Sequence, residues 1–295
     1  MDLVVGATGL LGSEICRRLR HRGEDVRALV RKTSDAAKVD ALKDIGCHVV
    51  TGDLQDPASL DRACHGVEVI ISTATTTVSR QPHDSLEKTD QQGQLNLIDA
   101  AERNDVKRFV LVSFSGNLEV ETNLHRAKRT VEAKLRESGV AYAILRPSFF
   151  MEVWLSPMLG FDPGNRKVQI FGAGDRPVSF ISLSDVAEFA VRVAEGDAGA
   201  NQTIELGGPE ALTPNEVVSI FEQEAGARFD VTHVPEEKLQ DQLANATDEY
   251  QKSFAGLMLG VCEGDDVDMQ GTLRRIPVTL TSVLEYARRA SAGVN

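Results

Sequence analysis

The sequence predicts an α/β protein. A doubly wound parallel sheet occupies residues 1–150, and a smaller C-terminal α+β lobe occupies 151–295, with a stretch near 178–200 returning to the sheet domain. Three observations lead there. Through the first half, short apolar runs rich in β-branched residues alternate with longer amphipathic stretches. The first of these runs leads directly into three glycines spaced three apart. The charge balance also shifts along the chain, because residues 201–295 hold 16 acidic against 7 basic side chains.

The elements follow in order. Strands fall at 3–5, 26–30, 48–50, 67–71, 109–112 and 141–145, each almost uninterruptedly apolar. Such runs suit parallel strands covered on both faces, whereas half-exposed strands alternate. The intervening helices carry readable ends. Asp56 before Pro57 supplies an N-cap with proline at the first helical position, and Gly139 stands where a left-handed residue closes a helix. In the C-terminal lobe Thr213-Pro214-Asn215-Glu216 reads as a capping box opening a helix to Glu224, and 279–289 reads as a terminal helix.

Composition excludes several function classes. A net charge of −12 disfavours nucleic acid and anionic membranes, which need clustered Lys and Arg to displace counterions. No apolar run reaches the roughly 18 residues of a bilayer span. The start, Met1-Asp2, lacks the basic region of a signal peptide, and the apolar stretch after it is broken at Gly6, Gly9 and Gly12. Cysteines at 16, 47, 64 and 262 include no Cys-x-x-Cys pair and no neighbouring His pair, so neither zinc nor a redox dithiol finds its ligand spacing. The expectation is a soluble cytoplasmic protein without a metal. The cluster Glu263, Asp265, Asp266 and Asp268 lacks calcium-loop spacing and reads as a solvated loop.

The segment Leu3-Val4-Val5-Gly6-Ala7-Thr8-Gly9-Leu10-Leu11-Gly12 carries the most chemistry. Gly6 permits a tight turn, Gly9 lets the main chain approach a pyrophosphate, and Gly12 lets the following helix pack close to the sheet. With Thr8, Leu10 and Leu11 these residues form a phosphate cradle at a helix N-terminus. The second strand ends in Arg31-Lys32, two bases and no acid. A carboxylate there would accept from the adenosine ribose, whereas a guanidinium forks onto a 2′-phosphate. NADP(H) is therefore expected in preference to NAD(H), against the plainer reading of a solvated basic pair. Asp53-Leu54 and Thr73-Ala74 close the third and fourth strands and should line the same crevice, Asp53 toward the adenine amino group and Thr73-Ala74 beside ribose and pyrophosphate. For Asp53 a turn role is the open alternative.

With these pieces in place, the sequence resembles the NmrA-like, atypical branch of the short-chain dehydrogenase/reductase superfamily. The resemblance is carried by Gly6 to Gly12, Ala28-Leu29-Val30-Arg31, Gly52-Asp53-Leu54, Val106-Lys107-Arg108-Phe109-Val110 and Leu145-Arg146-Pro147-Ser148-Phe149-Phe150-Met151-Glu152. Phe180-Ile181-Ser182 and Asp185-Val186-Ala187-Glu188 extend it over about the first 190 residues. It implies a Rossmann domain, NAD(P) binding and a small substrate lobe, with Pro147, Phe149 and Phe150 flanking the nicotinamide. Members of this branch include NADPH-dependent quinone and isoflavone-type reductases and redox-sensing regulators that do not turn the cofactor over.

The sequence departs from the superfamily's Tyr-x-x-x-Lys pair. Lys128 takes the lysine position, but Leu124 stands where the phenol belongs. Lys128 remains as the candidate that holds the nicotinamide ribose and stabilises an alkoxide, as the resemblance to isoflavone-reductase-like enzymes implies. Ser113, at the end of the fifth strand, is a second candidate for the substrate oxygen. His125 is a third, although a helix turns about 100° per residue and aims it away from the Leu124 face.

Of 15 aromatic residues, Phe149, Phe150, Trp154, Phe161, Phe171 and Phe180 cluster between 149 and 180. Phe150, Trp154 and Phe180 are the substrate-side candidates for a planar apolar ligand, and core packing explains the cluster equally well. Three functions stay open. The first is an NADPH-dependent reductase of a small carbonyl or quinone, and the second a non-catalytic NADP(H) sensor read by a partner protein. The third is an isomerase or tailoring enzyme on the same fold.

Overall fold

The computed structural model describes residues 1–78 and 80–291. Its strands are β1 (Asp2–Val5), β2 (Val26–Val30), β3 (His48–Thr51), β4 (Val69–Ser72), β5 (Arg108–Val112), β6 (Ala141–Pro147), β7 (Phe161–Asp162), β8 (Lys167–Phe171), β9 (Gln202–Leu206) and β10 (Asp230–Val234). Seven of them form one sheet in the order β3-β2-β1-β4-β5-β6-β9. The register is parallel from β3 to β6, with Val5 opposite Leu29 on one side and Ser72 on the other. The order reverses between β1 and β4, and beyond the carboxyl ends of strands at such a reversal is where sheets of this kind take their ligands. The expected doubly wound sheet is present.

Two compact units emerge, each assembled from three stretches. The first takes Met1–Ser113, Asn123–Arg146 and Val186–Ile204; the second takes Phe114–Thr122, Pro147–Asp185 and Glu205–Asn295. Each has its own apolar core. In the first, Leu3, Ile70, Leu97, Phe109 and Ile144 are fully buried on the sheet. In the second, Phe149, Met151, Phe180, Val217 and Phe221 pack together, beside a three-stranded sheet in the order β10-β8-β7.

The helices of the first unit begin with α1 (Leu10–His21), α2 (Ala36–Asp44) and α3 (Pro57–Cys64). Asp56 caps α3 as expected, its carboxylate accepting from the Ala58 and Ser59 amides with Pro57 at the first position. A π-helical stretch, Leu86–Gly93, runs into α4 (Gln94–Arg103), and α5 (Asn123–Glu137) follows. Gly139 does not close α5 in a left-handed conformation; instead Ser138 donates its hydroxyl to the Leu135 carbonyl at 2.8 Å.

After α6 (Met151–Trp154) of the second unit, α7 (Leu183–Glu195) belongs to the first unit from Val186 onward, and the second unit continues with α8 (Pro214–Ala225), α9 (Glu236–Asn245), α10 (Glu249–Glu263), α11 (Gln270–Arg275) and α12 (Val283–Ser291). The capping box of α8 forms as expected, Thr213 and Glu216 exchanging side-chain-to-backbone bonds. The last helix starts later than residue 279, because Thr281 is bound to the Asp185 carboxylate and Ser282 forms the cap with Glu285. Among the described residues no helix is long and apolar enough to cross a membrane.

Candidate functional site

The glycine turn is sterically determined. Gly6 has φ +86°, and a Cβ there would lie 2.6 Å from Thr73 Oγ1 and 2.9 Å from the Ala74 amide nitrogen. A Cβ on Gly12 would meet the Gly6 carbonyl oxygen at 2.2 Å. Only hydrogen fits at either position, so α1 starts hard against the turn and the segment after β4 lies beside it. Gly9 caps α1 without any side-chain bond, and no acidic residue occupies the first turn. The amide groups and positive end of α1 are thus left to an anion. Thr8 is half-buried, Leu11 is buried, and Leu10 is 60% exposed at the rim of the turn.

The neighbouring strand ends arrive as the topology demands. Thr73 is fastened to β1, its amide donating to the Val5 carbonyl at 2.9 Å and its hydroxyl at 3.2 Å. Gln94 bridges the same segment, accepting from Ser72 Oγ and donating to the Ala74 carbonyl. Leu54 is buried against Gly93, where a Cβ would approach it to 2.7 Å. Asp53 makes a turn, with one carboxylate oxygen accepting from the Gln55 amide at 2.9 Å. Lys32 is exposed. Arg31 is not a free cation, since its guanidinium sits 2.6 Å from the Asp84 carboxylate.

Lys128 lies on the buried stripe of α5 formed by Leu124, Ala127, Lys128, Val131, Glu132 and Leu135. Leu124, in the phenol's place, is core. Lys128 is 7% exposed, and burial lowers its pKa while the Asp90 and Glu132 carboxylates oppose that shift. Asp90, from the π-helical stretch, is fully buried; it accepts from Thr75 Oγ1 at 2.5 Å and from the amide and hydroxyl of Thr76 at 3.0 and 2.5 Å. Sequence reasoning missed Asp90. The visible signal was an acid on a helix face otherwise made of Leu86, Thr89 and Gly93, all buried.

Ser113 donates its hydroxyl to Glu132 at 2.7 Å. Its proton is therefore committed, and only its oxygen lone pairs face other partners. Glu132 also accepts from Arg129 and from both arms of Arg146. Burial alone would raise its pKa, but Arg146 and Ser113 together hold it down to about 2. His125 lies one position off the buried stripe and is half-exposed.

In the second unit the aromatic cluster is largely core. Phe149 meets Trp154 edge-on with centroids 4.7 Å apart, and Trp154 meets Phe171 at 6.2 Å. Phe180 and Phe161 are buried, whereas Phe150 and Trp154 keep part of their surface. Pro147 is buried, its carbonyl accepting from the Ser115 amide. Of the acidic cluster, Glu263, Asp266 and Asp268 are exposed, but Asp265 is not solvated. It is 1% exposed and accepts from Ser115 Oγ and Asn117 Nδ2 at 2.8 and 2.7 Å. Local spacing gave no sign of partners some 150 residues upstream. Among the described residues no group of His, Cys, Asp or Glu is placed to hold a metal.

Residues 3–268 match the model of the NmrA-like family. The chain belongs to that family. The match is to NmrA-like proteins themselves rather than to short-chain dehydrogenases at large, in keeping with a buried Leu124 in place of the tyrosine. Among its relatives is the photosystem II assembly factor Ycf39 of Trieres chinensis, 30% identical over 240 residues, covering 79% of this chain and 72% of the other. Another is the isoflavone reductase homologue IRL of Zea mays, 31% identical over 257 residues, covering 82% and 79%. The crystal structure of the NADPH-dependent quinone oxidoreductase QOR2 of Escherichia coli with NADPH shares the fold with a TM-score of 0.77, 23% identity, and 99% and 100% coverage.

Proposed function

We infer that this NmrA-like chain is an NADPH-dependent reductase acting on a small planar carbonyl or quinone. The observation that carries the reading is the cradle in which Gly6 and Gly12 admit no Cβ and the start of α1 is left without a capping side chain. A diphosphate fits that donor set, and the NADPH bound by the E. coli quinone oxidoreductase supports the choice of dinucleotide. When bound, NADPH supplies hydride. The chain supplies the rest. Thr73 and Ala74 border the cradle, and Asp53, Leu54 and Arg31 receive the adenosine end. Lys128, buried and under the electrostatic influence of the Asp90 and Glu132 carboxylates, is the side chain on which a developing oxyanion would draw. Ser113, its proton held by Glu132, positions rather than donates. A quinone needs no stronger acid, which makes Leu124 tolerable.

The alternative is a non-catalytic dinucleotide sensor or assembly factor read by a partner protein. It is favoured by the absent phenol and by the kinship to Ycf39. One experiment separates the two. Purified protein is mixed with NADPH and a panel of quinones and aromatic ketones while nicotinamide absorbance is followed. Multiple turnovers establish the reductase; tight NADPH binding without oxidation of any acceptor replaces it with the sensor.

A further inference from the structure

The second strand ends in bases only, yet the folded chain delivers an acid to that place. Asp84 comes from the segment between β4 and the π-helical stretch, 53 positions beyond Arg31, and its side chain is 4% exposed. One carboxylate oxygen accepts from Arg31 Nη1 at 2.6 Å and from the Gln81 amide at 2.7 Å. The other accepts from Thr89 Oγ1 at 3.1 Å and Gln55 Nε2 at 3.3 Å. Burial alone would raise its pKa, but the Gln81 amide and the Arg31 guanidinium hold it below the usual carboxylate range. The anion is fixed and permanent at neutral pH.

An anion so placed acts in opposite senses on the two pyridine dinucleotides. A guanidinium offers five N–H donors, so one bond to Asp84 leaves others for a phosphate. The charge of Asp84 nevertheless opposes a dianionic 2′-phosphate brought to the same guanidinium. A ribose 2′-hydroxyl, by contrast, is a donor, and a carboxylate is its natural acceptor. We propose that Asp84 is a specificity-determining residue that narrows the chain's preference for the 2′-phosphorylated dinucleotide, with Arg31 and Asp84 forming a single paired reader of the adenosine 2′ position. This rests on the dinucleotide reading above.

The test is the ratio of two affinities, measured by calorimetric titration of the purified chain with NADPH and NADH at fixed ionic strength. Asp84→Asn keeps the shape and one acceptor oxygen but removes the charge. It should tighten NADPH and weaken NADH, raising the ratio of the NADH Kd to the NADPH Kd about tenfold. A tie that merely holds the segment in place would weaken both nucleotides alike and leave the ratio unchanged, and that result overturns the proposal. If Asp84→Asn does not fold, Arg31→Ala on the native Asp84 background serves instead. Leaving the acid unbalanced, it should cost NADPH more than tenfold while changing NADH less than twofold, and equal losses again overturn the proposal. Titrations with 2′,5′-ADP and 5′-AMP confine the comparison to the adenosine end and should give the same ordering. Native protein that binds NADPH, together with an unmoved ratio, sinks this inference alone; native protein that binds neither dinucleotide sinks the function reading with it.

Discussion

Lys128 occupies a helix stripe whose other members are apolar or paired, where burial lowers its pKa and the Asp90 and Glu132 carboxylates oppose part of that shift. Lys128→Met should lower kcat/KM for quinone reduction by about 100-fold or more. Asp90→Asn removes one of the two supporting carboxylates, so the Lys128 pKa falls further. The alkaline limb of the kcat/KM profile should then move to lower pH, whereas a purely structural loss would scale the profile without moving it. Glu132 makes a stability prediction. Its pKa drops from an ordinary 4.5 to about 2 in the folded chain, so its contribution is complete above pH 4.5 and is lost as pH falls toward 2. Glu132→Gln should cost about 3 kcal/mol at pH 7 by urea unfolding, since three arginines lose their shared anion, and the deficit should shrink toward pH 2. Both carboxylates escape notice in the sequence because decisive partners are brought by other elements: Asp90 faces Thr75 and Thr76, while Glu132, whose Arg129 and Arg136 read as ordinary pairs of its own helix, also meets Ser113 and Arg146.

At the level of elements, α1 and the turn before it behave as one object. Gly12→Ala places a methyl 2.2 Å from the Gly6 carbonyl oxygen, and backbone cannot yield as a side-chain tip can. The helix must lift from the turn, so NADPH affinity should fall at least tenfold in titration, with an unfolding cost of about 1–3 kcal/mol. Unchanged NADPH binding by a folded Gly12→Ala protein would show that the dinucleotide does not use this cradle. That cradle was legible because its logic is local: strand, three glycines, helix. The six strands from β1 to β6 were legible for the same reason, short and almost uninterruptedly apolar runs leaving little choice of element, although the fourth begins at Val69 rather than Val67 because Val67 donates to the Cys64 carbonyl in a turn. The π-helical stretch Leu86–Gly93 and the short strands β7, β8 and β10 were not. Asp230–Val234 exposes most of its residues, and Phe161–Asp162 is two residues long, so neither has a periodicity to read.

The whole chain passes five times between its two units, and this sets what a fragment can do. The sheet of the first unit depends on Val186–Ile204, which comes from beyond the aromatic segment. Within it Val186, Ala187, Phe189, Ala190, Val191 and Val193 are completely buried. Its Glu188 binds Arg18 of α1 and Arg22 just beyond that helix at 2.6 and 2.7 Å, and Arg108 of β5 donates to the Val193 and Ala194 carbonyls at 2.9 and 3.2 Å. A fragment of residues 1–150 holds the entire glycine turn and every residue proposed for the adenosine end, yet it exposes the apolar surface that this helix covers, at about 1.5–3 kcal/mol for each large side chain. Net stabilities of domains are only about 5–15 kcal/mol. The 1–150 fragment should therefore show no cooperative thermal transition by circular dichroism and no calorimetric response to NADPH. Supplying residues 183–206 through a flexible linker should restore both, because what the fragment lacks is a covering helix and an edge strand rather than any group proposed to touch the nucleotide. A 1–150 fragment that melts cooperatively and binds NADPH unaided would show that the returning segment only decorates a self-sufficient sheet.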